Sequence, residues 1–203
     1  MLQSLDKGFG TEEKEMEQYE KAGFKKITGD ELGTLTFNPF DKIGKQWALI
    51  TAGDEKNWNT MTVSWGFAGV MWGKNTFTTV IRPQRYTKGF LDASEYFTVS
   101  FFKEDYRKAL SFCGSHSGRD CDKASETGLT PLVIEDKSSA YGMEYAYRTT
   151  ALEQADMVLV CRKAYVQEMK PECFNGGGNE AKWYPDKDYH IQYIGEIAAA
   201  YIR

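Results

Sequence analysis

The sequence predicts a mainly-β domain with a few short helices, folded as an antiparallel barrel with helical insertions. Residues 60–65 and 96–101 alternate between larger apolar and hydroxyl-bearing side chains, which is the period of a strand with one buried face. The helical segments are too few and too irregularly spaced for a repeating βαβ sheet. Aromatic side chains make up 14% of the 203 residues, which favours strands and excludes a disordered chain.

The individual elements follow from local patterns. Predicted strands cover residues 47–51, 60–65, 76–81, 96–101, 145–152 and 157–165. Predicted short helices cover residues 87–93, 106–112 and 122–126. The terminal segment 193–202 fits a strand or a helix, and Ile194 and Ile197 favour a strand for its first half.

The chain length predicts one domain with an arm before it. Residues 1–30 are expected to form an N-terminal arm, with a loose terminus over 1–10 and a short helix over 11–21. Residues 31–203 are expected to form a single domain. Residues 167–188 are its most polar interior stretch and predict a long excursion, in which the glycine run 176–178 is a flexible surface loop.

Charge and hydropathy limit the partners. The formal net charge is −4, so the basic excess typical of a nucleic-acid-binding protein is missing. The apolar runs are far shorter than the roughly 20 residues that a membrane-spanning helix needs. The first residues show no apolar stretch of a secretory signal, and we therefore expect a cytoplasmic protein that binds neither nucleic acid nor membrane.

The reactive side chains are scarce. The four cysteines form no C-x-x-C pair and are expected to be free thiols, with Cys161 a buried structural thiol in an apolar run. Two histidines are too few for a His-rich metal site, so no metal is expected. The signatures G-x-S-x-G, the P-loop and G-x-G-x-x-G do not occur. If the chain is an enzyme, a bound cofactor would supply the chemistry.

Three polar segments are candidates for ligand binding. They are residues 59–65 with a hydroxyl face, residues 81–87 with two arginines before a helix, and residues 113–123 with glycines, hydroxyls and two cations. Each segment alone also fits an alternative without a ligand: a solvated strand face for the first, ordinary surface arginines for the second and a solvated connection for the third. Together they suit a phosphorylated aromatic ligand such as flavin mononucleotide (FMN).

The same segments resemble a known family. The motifs N-T-M-T-V-S-W (59–65), R-P-Q-R-Y-T (82–87), C-G (113–114), S-G-R-D (117–120), D-K (122–123) and T-G-L-T-P (127–131) resemble the flavin reductase-like family, and more narrowly its flavoredoxin-like branch. The terminal Y-I-G-E-I (193–197) fits the closing strand of that family. The resemblance spans about residues 37 to 198.

The resemblance implies a split β-barrel that binds FMN, commonly as a homodimer with the flavin near the subunit interface. By position, the flavin ring and ribityl chain would contact Asn59, Thr60, Met61, Thr62 and Ser64. The phosphate would be held by Arg82, Arg85 and Thr87, with Tyr86 beside the flavin. Further phosphate or ribityl contacts would come from Ser117, Arg119 and Lys123. The chain departs from the family pattern in its N-terminal 30 residues and in the glycine run 176–178, and the excursion 167–188 is where substrate or partner specificity could differ.

The expected function is that of an FMN-dependent oxidoreductase. NAD(P)H would deliver hydride to the flavin, and electrons would pass to a small-molecule or protein acceptor, with no catalytic side chain assigned. One alternative is a flavoredoxin-type electron carrier reduced by a protein partner. Another is a non-catalytic flavin- or haem-binding protein on the same barrel. Cys113 is either a residue near the flavin ring or a core thiol. His190 is either a residue near the flavin ring or an interface histidine.

Overall fold

A computed structural model describes residues 17–203, which form two antiparallel sheets. The strands are β1 (Lys25–Ile27), β2 (Ala48–Gly53), β3 (Trp58–Val63), β4 (Gly66–Met71), β5 (Lys74–Ile81), β6 (Tyr96–Phe101), β7 (Pro131–Ala140), β8 (Met143–Leu152), β9 (Met157–Glu168) and β10 (Ile191–Ile202). The helices are α1 (Gln18–Lys21), α2 (Pro39–Asp41), α3 (Thr87–Ala93), α4 (Arg107–Ser115), α5 (Lys123–Thr127) and α6 (Asn179–Trp183).

The large sheet has the strand order β3-β2-β6-β9-β10-β5-β4, and β1 is added to β10. β10 is the organising strand: its first half pairs with β5, its second half pairs with β1, and both halves pair with β9. The β7–β8 hairpin packs against β2, β6 and β10. The enclosed core is rich in aromatic rings, and its largest fully buried side chains include Tyr145, Tyr193, Tyr201, Phe77, Phe97 and Phe101.

The predicted mainly-β class with short helices is confirmed. All six predicted internal strands and all three predicted helices are present; the strand 96–101 and the helix 87–93 have the predicted bounds, and the other elements have shifted ends. The terminal segment is strand throughout, not only in its first half, because β9 pairs with it along nearly its whole length. The sequence prediction also missed β1, β4 and β7. β4 was missed because its two glycines and mostly exposed apolar side chains give no alternating pattern.

The predicted N-terminal arm over residues 1–30 falls partly outside the described residues, which start at 17. Of the predicted helix over 11–21, only Gln18–Lys21 is described as helix. The described part of the arm packs on the sheet: Tyr19 is buried with its ring 4.7 Å from the ring of Tyr201, and β1 pairs with the end of β10. This segment is therefore part of the core as well as a chain extension.

The predicted excursion 167–188 corresponds to the connection between β9 and β10, residues 169–190. β9 runs further than expected, to Glu168, and pairs there with Ile191. The connection contains the short helix α6, and Gly178 begins it with a φ of 68°, a left-handed conformation that glycine adopts freely. The glycine run thus turns the chain into a helix that lies beside the cleft described below.

The expected structural role of Cys161 is confirmed. Its side chain is fully buried, and burial raises the pKa of the thiol far above its usual range. The chain crosses tightly here, because a Cβ on Gly195 would lie 2.7 Å from the Cβ of Cys161 and 2.7 Å from Cζ of Phe97. All four cysteines are free thiols. None of the helices over residues 17–203 is long and apolar enough to cross a membrane.

Candidate functional site

A cleft formed by two adjoining cavities brings the three candidate segments together. We call the two cavities the cationic cavity, of about 270 Å³, and the aromatic cavity, of about 350 Å³. The two cavities share Met61, Arg82 and Arg85. The cationic cavity is lined by Asn59, Met61, Arg82, Gln84, Arg85, Tyr86, Thr87, Ser115, His116, Ser117, Gly118, Arg119 and Lys123. The aromatic cavity is lined by Met61, Thr62, Val63, Ser64, Trp65, Val80, Arg82, Arg85, Trp183 and His190.

Two exposed arginines in the cationic cavity are held by carbonyl groups and a ring. Arg85 donates from Nη1 to the carbonyl of Gly114 over 2.9 Å. Arg119 lies over the Tyr86 ring, 4.8 Å from its centroid, and donates to the carbonyl of Gln84 over 3.4 Å. Among residues 17–203, neither guanidinium forms an ion pair, and no carboxylate lines this cavity. Both arginines therefore keep positive charge and free N–H groups for an anion.

Lys123 is a buried cation at the base of the same cavity. Its Nζ donates to the carbonyls of Thr60 and Cys113, each over 2.8 Å, so it ties β3 to the end of α4. Burial lowers the pKa of this ammonium from its ordinary value. An ammonium has three donors, and two are used by these carbonyls, which leaves one for a ligand. The predicted ligand-binding lysine thus also has a structural function.

Asn59 and Thr87 join β3 to the start of α3. Asn59 donates from Nδ2 to Oγ1 of Thr87 over 2.7 Å, and both residues are buried. The 115–119 loop closes on this pair so tightly that a Cβ on Gly118 would lie 2.0 Å from Oδ1 of Asn59 and 3.2 Å from Cδ1 of Tyr86. Only glycine fits this position without moving its neighbours.

Two hydroxyls on the predicted hydroxyl face of β3 bond within the protein. The Thr60 hydroxyl is buried and bonds to the carbonyl of Ile50 (3.2 Å) and to the Thr51 hydroxyl (2.9 Å). The Thr62 hydroxyl donates to the carbonyl of Leu110 in α4. These hydroxyls hold the sheet and α4 together, whereas the neighbouring Met61 is the β3 side chain shared by both cavities.

The aromatic cavity has a wall of three rings from distant parts of the chain. Trp65 follows β3, and its ring lies edge-on to Trp183 of α6 at 4.9 Å and tilted against His190 at 5.1 Å. The His190 Nδ1 lies 2.9 Å from the Tyr184 hydroxyl. Burial, with a smaller effect of Arg82, lowers the pKa of His190 to about 4, so the imidazole is neutral at neutral pH.

Arg82 connects the two cavities and is bound to the connection 169–190. Its Nη1 lies 2.5 Å from a carboxylate oxygen of Asp188, and its Nη2 donates to the carbonyl of Trp183 over 2.8 Å. Gln84 donates to the other Asp188 oxygen over 2.8 Å. The side-chain bond from Gln84 and the Arg82 cation lower the pKa of Asp188. The charge of Arg82 is therefore balanced by Asp188. The expected contact between Arg82 and a phosphate stays a prediction.

The structure thus places eleven of the twelve predicted site residues along the cleft, and turns the Thr60 hydroxyl into the sheet. Cys113 is buried in α4, where burial raises its thiol pKa to about 11, as the core-thiol alternative expects. His190 lines the aromatic cavity. Trp65 lies in the candidate segment 59–65, whereas Trp183 and Asp188 were missed as site residues because nothing local in the sequence connects 183–190 with β3. Among the described residues no cluster suited to a metal ion occurs.

Comparison with known proteins identifies the family of this barrel and cleft. The chain belongs to the flavin reductase like domain family, whose model matches residues 40–203. The resemblance inferred from the motifs is therefore confirmed. A search of the curated proteins found no match.

Three solved structures illustrate the likeness in fold. A Shewanella frigidimarina protein described as a flavin reductase with a split barrel domain is 16% identical, with a TM-score of 0.58, over 87% of this chain and 79% of that chain. Flavoredoxin of Desulfovibrio vulgaris is 18% identical, with a TM-score of 0.57, over 77% and 69%. An NADH:FAD oxidoreductase of Streptomyces globisporus is 16% identical, with a TM-score of 0.51, over 76% and 74%. The predicted split β-barrel is confirmed by this likeness.

Proposed function

We propose that the protein binds FMN in the cleft and functions as a flavin-dependent oxidoreductase. The observation that carries the proposal is the cationic cavity, in which Arg85, Arg119 and Lys123 converge without a carboxylate among the described lining residues. A phosphate monoester is a dianion with oxygens that accept several N–H and O–H donors, and this donor set matches it. The FMN-binding proteins and flavoredoxins among the structural neighbours support the choice of FMN.

The remaining cleft fits the rest of the ligand. The aromatic cavity adjoins the cationic cavity and offers Trp65, the Met61 thioether and the neutral imidazole of His190 to a flat ring. The aromatic cavity, of about 350 Å³, falls in the volume range usual for small-molecule sites, and the cationic cavity, of about 270 Å³, lies just below it. The close approach of Gly118 to Asn59 shapes the wall of the cationic cavity. Ser117 and Thr87 add hydroxyl groups at the phosphate end.

The bound flavin would accept a hydride and pass its electrons on, which is chemistry that the side chains here cannot supply. The protein's part is to bind and orient. Arg85 and Arg119 hold the phosphate end, Met61 contacts the ligand from β3, and the ring wall excludes water from one side of the cleft. The proposed mechanism assigns no acid or base to a protein side chain.

We propose NAD(P)H as the reductant. The test is to load the protein with FMN, remove free flavin, and add NADH or NADPH without oxygen. Loss of the visible flavin absorbance with either nucleotide supports the reductase. No bleaching with either nucleotide, in protein that holds FMN, contradicts the reductase and favours the second candidate, a flavoredoxin-type electron carrier reduced by a protein. The flavoredoxins among the neighbours favour that candidate.

We also propose that the protein is a homodimer in contact through β4. This strand lies at one end of the described sheet and exposes Phe67, Val70 and Met71, next to the exposed Trp72. Val70 is 72% exposed, which is unusual for an apolar strand residue unless another surface covers it. Light scattering should give twice the chain mass for the wild type and the single mass for Val70→Lys. A monomeric wild type contradicts the proposal. The cytoplasmic location stays a prediction.

A further inference from the structure

The cationic cavity contains a histidine to which the proposed function gives no role. His116 directly follows α4 and lines this cavity together with Arg85, Arg119 and Lys123. The second histidine of the chain, His190, lines the aromatic cavity, where burial keeps its pKa low and the imidazole neutral. An imidazole changes its charge near neutral pH more readily than other side chains. His116 is therefore the histidine that can add or remove a charge where the phosphate is expected.

The His116 ring is held in place, although the residue is exposed. It stacks on the Phe112 ring, with 4.0 Å between the centroids and 11° between the planes. Its Nδ1 lies 3.0 Å from the Ser115 hydroxyl oxygen and 3.3 Å from the carbonyl oxygen of Phe112. A ring that is held on one face and at one nitrogen loses little further freedom when it binds a ligand.

The same bonds decide which nitrogen carries the proton in the neutral ring. The carbonyl of Phe112 only accepts, and the single hydroxyl proton of Ser115 is directed to the carbonyls of Ser111 and Phe112. Nδ1 is therefore the donor, and the neutral ring leaves Nε2 as an unprotonated acceptor. Among residues 17–203, Nε2 of His116 has no hydrogen-bond partner. A second proton at Nε2 makes the ring a cation with a donor to spare.

The groups around His116 disfavour that second proton until an anion binds. The other charged and titratable groups of the cavity lining are Arg82, Arg85, Tyr86, Arg119 and Lys123. No carboxylate is among the described lining residues, so a cationic imidazole here meets mainly like charge. A phosphate dianion in the cavity reverses this balance, because it attracts the imidazolium and accepts a charged hydrogen bond from it.

The remaining titratable groups of the loop after His116 are turned to other partners. Asp120 is exposed and does not line the cavity. Asp122 accepts from the backbone N–H groups at the start of α5, and the Cys121 thiol donates to the carbonyl of Ser117. These groups leave the charge of the ligand as the main influence that can favour the imidazolium.

We propose that His116 is a phosphate-binding residue of the cleft, and that FMN binding takes up a proton at its Nε2. The proposal rests on the proposed function, because it concerns the phosphate of the same ligand. A phosphate monoester is mainly a dianion above about pH 6, so the ligand brings no proton with it. The proton comes from solvent, and Nε2–H then donates to a phosphate oxygen. The affinity for FMN consequently falls as the pH rises past neutrality.

The first test measures the dissociation constants of FMN and riboflavin by flavin fluorescence titration between about pH 6.5 and about pH 8.5. For the wild-type protein, the FMN dissociation constant should rise about 5- to 20-fold over this range, as expected when a charged hydrogen bond requires a proton. Riboflavin has no phosphate, so its dissociation constant should stay the same. A change for riboflavin as large as that for FMN would contradict the role of the phosphate.

Three variants separate the charge of His116 from its shape. His116→Gln has a polar side chain without charge, and His116→Lys has a cation throughout the range, so both should bind FMN with an affinity that does not depend on pH. The matched control is Lys108→Gln, which removes an exposed cation of α4 outside the cavity lining. This control should keep the wild-type pH dependence.

Calorimetric titration counts the proton directly. The enthalpy of FMN binding is measured at about pH 7.5 in two buffers that differ in their enthalpy of ionisation. The wild-type protein should take up more than about half a proton for each FMN bound, whereas His116→Gln should take up almost none.

The outcomes distinguish this inference from the proposed function. An FMN affinity that is above that of riboflavin but constant with pH would overturn the inference and leave the proposed function standing. The same holds if His116→Gln keeps the wild-type pH dependence, which would assign the proton to another group such as Lys123, or if calorimetry finds no proton uptake. A wild-type protein that binds no FMN at any pH would end both.

Discussion

The two cavities of the cleft are built in different ways. The cationic cavity comes mainly from two short segments, 82–87 and 115–123, whose cations are held by backbone carbonyls and keep their charge. The aromatic cavity depends on Trp183 and His190, more than a hundred residues after Trp65, and its arginine is balanced by Asp188. One cavity is prepared for an anion, and the other offers a wall of aromatic rings. The following predictions test this difference.

The largest effect on stability is expected for Lys123→Met. The change leaves the carbonyls of Thr60 and Cys113 without their donor, and a buried unsatisfied acceptor costs about 1–3 kcal/mol. We expect a loss of about 3 kcal/mol in the free energy of unfolding, measured by urea denaturation. The control is Lys108→Met, on the exposed face of α4, which should change stability by less than about 0.5 kcal/mol. Equal stability of the two variants would contradict the structural role of Lys123.

Arg85→Ala should weaken FMN binding about 10- to 100-fold, since a hydrogen bond to a charged group is worth about 1.5–3 kcal/mol. Flavin fluorescence titration measures the affinity. Arg82→Ala should have a smaller effect, because Arg82 is bound to Asp188. The control Arg148→Ala removes an arginine that pairs with Glu55 and Glu135 on another surface, and it should bind FMN as wild type does. A larger loss for Arg82→Ala than for Arg85→Ala would reverse our assignment.

The pH dependence of stability should depend on His190. Burial lowers its pKa to about 4 from the ordinary value of 6.5, so the unfolded chain takes up a proton at a higher pH than the folded protein does. Above pH 6.5 the group is neutral in both states, and the folded protein loses stability as the pH falls from there towards 4. His190→Gln removes this loss, which we expect to amount to about 2–3 kcal/mol near pH 4.

The measurement is a series of urea denaturation curves between about pH 7 and about pH 4, with wild type and variant compared at each pH. The control is His116→Gln in the exposed loop, which should keep the wild-type dependence. Parallel curves for wild type and His190→Gln would show that this histidine is not buried as a neutral group.

The smallest effect is expected for Gly118→Ala. The new Cβ would meet Oδ1 of Asn59, and the Asn59 side chain must turn away from Thr87 to make room. The lost bond and the shifted loop should lower the free energy of unfolding by about 1–2 kcal/mol and weaken FMN binding by a similar free energy. Gly89→Ala is the control, because a Cβ there meets nothing within 4 Å. A Gly118→Ala protein as stable as Gly89→Ala would show that the loop can relax.

The contrast between the cavities also explains what could be predicted from the sequence. Residues 81–87 and 113–123 are short segments with cations and hydroxyls close together, so their composition made them candidates for an anion site, while each alone also fitted an ordinary surface segment. The alternating pattern of 59–65 predicted a strand but not which of its side chains line the cleft. In the structure the hydroxyls of Thr60 and Thr62 donate to backbone carbonyls, and Met61 lines the cleft. Hydroxyl side chains pair with the backbone as readily as with a ligand, and periodicity cannot distinguish the two.

The contact of Trp183 with the aromatic cavity could not be predicted for a different reason. Trp65 and Trp183 meet only because the connection between β9 and β10 folds back across the sheet, and such a contact leaves no periodic or local signal. The strand β4 was missed because two glycines and an exposed apolar face obscure its alternation. A long-range contact and an exposed strand are both decided by tertiary packing, which overrides local preference.

The most direct test of the central claim compares FMN with riboflavin, which has the same ring and ribityl chain without the phosphate. If the cationic cavity holds the phosphate, the wild-type protein should bind FMN about 100-fold more tightly than riboflavin, as expected for charged hydrogen bonds. In the double variant Arg85→Ala and Arg119→Ala, the preference should fall to a few-fold while riboflavin binding is unchanged. Equal affinity of the wild-type protein for the two flavins would contradict the account.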